Sequence, residues 1–283
     1  MVRPGTLEKH GLRVPDCDRI PSEMARTTPG LLSIAGYDPS GGAGVILDIR
    51  VFERLGFRGA GVLTSVTAQD AARVTRVHHL PAALVRSQFE ALSGEIRLAG
   101  IKVGMAGSLY NLETIAWILR RNKAIPRVVD PVFVSSSGAA LLEKRAVPCF
   151  LHVLKGAASL LTPNLGEASA LAGRRVKTID DMKDAARGIW ESGRIPCLVK
   201  GGHLEGAAAD VLWDGRKLQV FRHARVDADV HGTGCFLSAT ILGHLAGGCG
   251  LAEACRRAIA LTVRALRRAV PAGGGRRIFR FPL

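Results

Sequence analysis

Leu31-Leu32-Ser33-Ile34-Ala35-Gly36-Tyr37-Asp38-Pro39-Ser40-Gly41-Gly42-Ala43-Gly44 decides how the chain is read. A short apolar run, Leu31 to Ala35, ends in a cluster of Gly, Asp, Pro and Ser, the punctuation expected where a strand gives way to a loop. Beyond it, Val45, Ile49 and Phe52 recur at three and four residues, with Asp48, Arg50, Glu53 and Arg54 between them. That spacing predicts a helix within 41–55. The stretch is therefore a strand–loop–helix unit whose glycines let the backbone approach a ligand closely, or merely turn.

The unit recurs along the chain. Val62 to Thr67 precedes Gln69-Asp70, Ile101 to Val103 precedes Gly104-Met105, and Val128-Val129 precedes Asp130-Pro131. Leu160-Leu161 then precedes Thr162-Pro163-Asn164, and Leu198-Val199 precedes Lys200-Gly201-Gly202. Alternation of this kind predicts an α/β fold with a mainly parallel sheet covered by helices. Ligands of open parallel sheets sit outside the carboxyl ends of the strands, so polar residues scattered from 36 to 235 would converge there.

The last motif is His231-Gly232-Thr233-Gly234-Cys235, followed by the apolar helical run Phe236, Leu237, Ala239, Ile241 and Leu242. Two glycines one residue apart allow a tight turn whose N–H groups, with the positive end of the helix, point at one place suited to an anion. Taken alone, the same residues describe a glycine-rich turn before a core helix. Cys235 would sit at that helix N-terminus, where the dipole favours thiolate and lowers the pKa.

The 283 residues carry a net charge of +15 and 13 prolines, and read as one soluble domain over 30–271. A flexible N-terminal extension, 1–29, precedes it, and Ala272 to Gly275 form a flexible break before a basic tail within 272–283. No Asp, Glu, Lys or Arg lies between Asp229 and Glu253, yet six glycines and His244 interrupt the stretch, favouring a buried helix over a membrane span. The N-terminus lacks the apolar core of a secretory signal, which points to the cytoplasm. Arg256, Arg257, Arg264, Arg267 and Arg268 fall largely opposite Leu251, Ala254, Ala258, Leu261 and Ala265, the pattern of an amphipathic surface helix. That distribution argues against a nucleic-acid partner, and the positive field suffices to attract anionic substrates. None of the six cysteines, Cys17, Cys149, Cys197, Cys235, Cys249 and Cys255, forms a C-x-x-C pair or a zinc-site pattern. Cys149, Cys197 and Cys255 read as inert core thiols.

Taken in order, the motifs around Gly36 to Gly44, Thr67-Ala68-Gln69, Lys102 to Met105, Asp130-Pro131-Val132, Thr162 to Glu167, Lys200 to His203 and His231 to Cys235 resemble the hydroxymethylpyrimidine and phosphomethylpyrimidine kinases of thiamine biosynthesis, members of the ribokinase-like superfamily. The resemblance runs from about Leu31 to Arg268 and implies a three-layer α/β/α fold. It also implies ATP- and magnesium-dependent phosphorylation of 4-amino-5-hydroxymethyl-2-methylpyrimidine and then of its monophosphate. By the same resemblance, Gly232, Thr233 and Gly234 form the anion hole and Cys235 takes the base position. Gln69 bonds the aminopyrimidine, Met105 packs on its ring, and Gly36, Asp38 and Val134 line the pocket. Asn164, Lys200 and Thr233 face ATP, Asp130 and Glu167 serve magnesium, and the assembly is a homodimer.

Each residue also has a structural reading: Gln69 satisfying a neighbouring strand, Met105 filling core space, Asp38 capping the helix after it, and Asn164 with Glu167 forming part of a capping box. Three departures stand out. Tyr37 narrows the pocket, Ile46-Leu47-Asp48 replaces Gln-Ala-Asp, and Asp70 adds negative charge that would disfavour a phosphorylated substrate if it points inward. Two other functions fit less of the pattern: a pyridoxal or pyridoxine kinase, and a pyrimidine-binding regulatory protein without turnover.

Overall fold

The computed structural model describes residues 28–281 apart from 203 and 205–207. The N-terminal extension up to residue 27, Cys17 and His203 lie outside the described residues. All six anticipated strands form, as β1 (Gly30–Tyr37), β2 (Arg58–Gln69), β4 (Leu98–Val103), β5 (Arg127–Val129), β6 (Leu160–Leu161) and β7 (Cys197–Val199). They are contiguous and parallel in the order β2-β1-β4-β5-β6-β7.

Antiparallel strands extend this block on both sides: β3 (Val74–His79) beside β2, and β8 (Ala208–Trp213) with β9 (Leu218–His223) beyond β7.

The period of two along each strand sorts side chains between two cores. Leu31, Val128, Leu160 and Leu198 face a cluster with α1 (Gly44–Arg54), α7 (Thr233–Ala246) and α8 (Leu251–Arg267). Leu32, Ile34, Val129 and Leu161 face the other cluster, which includes side chains of α2 (Ala82–Ser93), α3 (Leu109–Arg121) and α6 (Ile179–Gly193). The result is the expected three-layer α/β/α fold. Helices α4 (Phe150–Val153) and α5 (Leu165–Ala172) complete the second layer.

Helix α7 is buried continuously from Phe236 to Gly243, as a helix apolar all round must be. It is sandwiched between sheet and α8, and no described helix is long and apolar enough to cross a membrane. Along α8, Ala254, Cys255, Ala258, Ile259, Thr262 and Ala265 are buried, while its arginines stay exposed and Arg256 and Arg257 pair with Glu253.

The C-terminal end departs from expectation. Ala272 to Gly275 belong to a hairpin of β10 (Val270–Gly273) and β11 (Arg276–Ile278) rather than to a flexible break. Phe279, only 2 % exposed, stacks on Phe236 with ring centroids 4.2 Å apart. The alternation of Arg and Phe here is an edge packed on the core: Arg277 bridges to Val230, and its carbonyl accepts the His231 N–H at 2.8 Å.

Candidate active site

The pairing of β1 with β2 shifts register between Ala35 and Gly36, with Thr64 of β2 as the extra residue, and β1 runs on to Tyr37 at the carboxyl edge. The loop that follows is organised by Asp38, 2 % exposed. Its Oδ1 accepts from the Ser40 N–H (2.9 Å) and hydroxyl (2.7 Å), and its Oδ2 from the Ala43 N–H (2.8 Å). Asp38 thus braces the loop rather than capping the helix: α1 begins at Gly44, and its N-cap, Ala43, has no side-chain cap bond. Burial works to raise this carboxyl, but hydrogen bonds from His231, Ser40 and Gln69 outweigh it and hold Asp38 below the usual range. Those bonds bring Gln69, at the end of β2, beside Asp38. Met105 is buried, its sulfur lies over Gly36, and its carbonyl accepts the Thr64 hydroxyl at 2.5 Å. Gly36, Asp38, Gln69 and Met105 therefore cluster on adjacent strand ends. Val134 is the outlier, 52 % exposed on the loop after β5 and bridged to Ala140.

The phosphate-type loop lies across the edge. Gly232 caps α7 with φ +81°, a conformation that favours glycine, and a Cβ there would collide with the Gly42 carbonyl. The first helical bond runs from the Phe236 N–H to the Gly232 carbonyl, so the N–H groups of Thr233, Gly234 and Cys235 precede the helical ladder. The Thr233 hydroxyl donates to the Val230 carbonyl at 2.8 Å and so holds the turn.

Beside Gly234 stands the ion pair of Lys200 and Asp130, Nζ to Oδ1 2.7 Å, with side chains 14 % and 3 % exposed. A Cβ on Gly234 would lie 3.0 Å from Lys200 Nζ and 3.3 Å from Asp130 Oδ2. Lys200 and Asn164 are joined by an isolated parallel bridge. Asn164 and Glu167 form a complete capping box, not a partial one: Asn164 Oδ1 accepts the Glu167 N–H at 2.9 Å, and Glu167 Oε2 accepts the Asn164 N–H at 2.8 Å. Asparagine serves as well as Ser or Thr because its oxygen is equally placed to accept. Burial opposes the Lys200 ammonium, but Asp130 and Glu167 outweigh it and raise its pKa. Burial, with repulsion from Asp130, pushes Glu167 up to about 7 despite Lys200.

Among the described residues no three His, Cys, Asp or Glu side chains form a metal-ligand cluster, and Asp130 Oδ1 is taken by Lys200. Asp130 and Glu167 thus fit magnesium only as two carboxylates acting with phosphate oxygens and water, the mode this ion commonly adopts.

Cys235 requires a correction. The expected lowering by the helix dipole does not occur: burial pushes the thiol up, Asp48 and Asp130 push further, and Lys102 and a bond from the Gly44 N–H oppose them only in part. Lys102 itself is wholly buried, its Nζ 2.9 Å from both oxygens of Asp48, which also accepts the Ser33 hydroxyl at 2.5 Å. That pair, and the link between His231 and Asp38, carry no motif signal beyond the residue types. Cys149 is only partly buried, whereas Cys197 and Cys255 are core thiols, and all five described cysteines are free. Asp70 is exposed and turned to its own loop, accepting from the Ala72 and Arg73 N–H groups at 2.8 Å, so it adds no charge to the pocket.

Residues 38–279 match the family model for phosphomethylpyrimidine kinase. The chain belongs to that family. The hydroxymethylpyrimidine/phosphomethylpyrimidine kinase of Streptomyces coelicolor is 39 % identical over 250 residues, 88 % of this chain and 93 % of its own. Among solved structures, the phosphomethylpyrimidine kinase of Clostridium difficile 630 superposes with a TM-score of 0.74 at 33 % identity, over 84 % of this chain and 99 % of its own. A Bacillus subtilis pyridoxal kinase, solved as an ADP complex, gives 0.82 at 30 % identity, over 90 % and 97 %. The match runs through the C-terminal hairpin to Phe279, eleven residues beyond the motif-based limit at Arg268.

Proposed function

We propose that this kinase transfers the γ-phosphoryl group of ATP first to the hydroxyl of 4-amino-5-hydroxymethyl-2-methylpyrimidine and then to the resulting monophosphate. The observation that carries the reading is the meeting of the Gly36–Asp38–Gln69–Met105 cluster with the Gly232–Cys235 turn and the Lys200–Asp130 pair at one sheet edge. Phosphoryl transfer asks for alignment of attacking and leaving oxygens and for stabilisation of spread negative charge. Gln69 would read the aminopyrimidine edge and Met105 cover its ring. Val134 would close the outer side, and Asn164, Lys200 and Thr233 would face the nucleotide phosphates. The N–H groups at 233–235 and the Lys200 ammonium supply positive charge where the transferred group passes. Asp130 and Glu167 would hold magnesium with the nucleotide, and the ion would supply neutralisation of the phosphate oxygens.

Cys235 occupies the base position. Because its thiol is raised, the active thiolate fraction is small at neutral pH and grows as pH rises. The second acceptor is a phosphate already ionised at pH 7, with a second pKa near about 6, and needs no base. Cys235 therefore matters for the first transfer and little for the second.

The test is incubation with Mg-ATP and, separately, the hydroxymethylpyrimidine, its monophosphate and pyridoxal, with products identified by mass spectrometry. Pyrimidine mono- and diphosphate are expected. Similarity to the Bacillus pyridoxal kinase makes pyridoxal the competing acceptor, and pyridoxal phosphate as sole product would replace the pyrimidine reading. The proposal extends to a cytoplasmic enzyme and a homodimer, the latter checked by sedimentation.

A further inference from the structure

The two halves of the site come from loops almost two hundred residues apart, and one side chain joins them. His231 Nε2 lies 2.8 Å from Asp38 Oδ2, the two side chains being 13 % and 3 % exposed. On the Asp38 side, the same carboxylate holds Ser40 and Ala43 of the glycine-rich loop, and the Gln69 side chain lies close enough to stabilise its charge. On the His231 side, the next residue is the helix cap Gly232, and the His231 N–H is tied to the Arg277 carbonyl at 2.8 Å. The imidazole also fits against bare backbone: a Cβ at Gly42 would lie 2.5 Å from its Cδ2, and one at Gly232 would strike the Gly42 carbonyl. The contact is thus closed from both sides, with glycine at both places where the loops touch.

We propose that His231 is a positioning residue for phosphoryl transfer: through Asp38 it sets the acceptor-reading Gln69 in register with the Gly232–Cys235 turn. It touches neither acceptor nor nucleotide. Its effect runs through the relative placement of the two loops, where displacement by about 1 Å can cost about a hundredfold in rate. The inference rests on the acceptor reading given above, and its test is built to fail separately from it.

Wild type, His231→Ala and His231→Gln are compared for kcat, for KM of acceptor and of Mg-ATP, and for melting temperature, using whichever acceptor the wild type phosphorylates. Identity of that acceptor judges the earlier reading alone. His231→Ala is expected to lower kcat about ten- to a hundredfold and to raise acceptor KM, leaving the Mg-ATP KM within about twofold. His231→Gln, whose amide can still donate to Asp38, is expected to recover most of the loss. In an Asp38→Asn background, His231→Ala should add little, since the two act as one unit. Unchanged kcat and acceptor KM in His231→Ala would overturn the proposal. So would equal losses in the Ala and Gln variants that track a lowered melting temperature, because that pattern belongs to a structural histidine.

Discussion

Two lysine–aspartate pairs lie on the same sheet, and they differ in one respect. Lys102 and Asp48 are sealed between the sheet and α1, 0 % exposed, with the Ser33 hydroxyl taking a further bond. Lys200 and Asp130 stand at the carboxyl edge, where Lys200 keeps 14 % exposure and Nζ faces Gly234 of the anion turn. In the sealed pair burial opposes the Lys102 charge and is outweighed by Asp48, while burial pushes Asp48 up against the two bonds from the ammonium and the one from Ser33. A sealed pair is out of reach of any ligand, although its charges still act on the Cys235 thiol. The edge pair keeps a cation in part exposed, so under the proposed function identical chemistry serves packing in one place and the nucleotide phosphates in the other.

The sharpest way to break this contrast is Lys102→Met, which strands a buried carboxylate. It is expected to cost about 3–5 kcal/mol in chemical denaturation, and Asp48→Leu with Lys102→Met should recover much of that. Lys200→Gln should do the reverse. A smaller stability loss is expected together with a fall of about a hundredfold in kcat/KM for Mg-ATP, in line with removal of one charge-stabilising donor, and no apolar double replacement should restore turnover. If Lys102→Met lost turnover at full stability, the division of roles would be wrong.

The smallest effect sharpens the electrostatics at the edge. Glu167 is raised from 4.5 to about 7 in the folded chain, so between those values the folded state holds a proton that the unfolded state has released. Its contribution therefore weakens stability as pH rises from about 4.5 to 7. Glu167→Gln should flatten that slope in unfolding measurements at stepped pH, and an unchanged slope would place the Glu167 pKa near its ordinary value.

The parallel block was legible because each of its strands ends in a chemically distinct cluster. Asp130-Pro131 and Thr162-Pro163-Asn164 mark strand ends even where the strands are three and two residues long. The antiparallel flanks were not, since β3, Val-Thr-Arg-Val-His-His, is a polar edge whose identity comes from pairing with β2. The terminal hairpin was misread for a related reason: the burial of Phe279 depends on Phe236, forty-three residues away. In the site, glycines and chemical side chains could be named, but not their electrostatics. Position at a helix N-terminus suggested a lowered Cys235, whereas Asp48, Asp130 and burial decide the opposite. No spacing rule connects Asp38 with His231, because only the three-dimensional approach of two glycine loops creates that bond.

The most direct measurement is the step-resolved rate of Cys235→Ala beside wild type, with the hydroxymethylpyrimidine and its monophosphate assayed separately across pH. Cys235→Ala is expected to lose about 10²–10⁴-fold in the first transfer, the range of general-base catalysis, together with the limb that rises toward alkaline pH, and to change under about tenfold in the second. Equal losses in both transfers, or a first transfer that survives intact, would contradict a base role for Cys235.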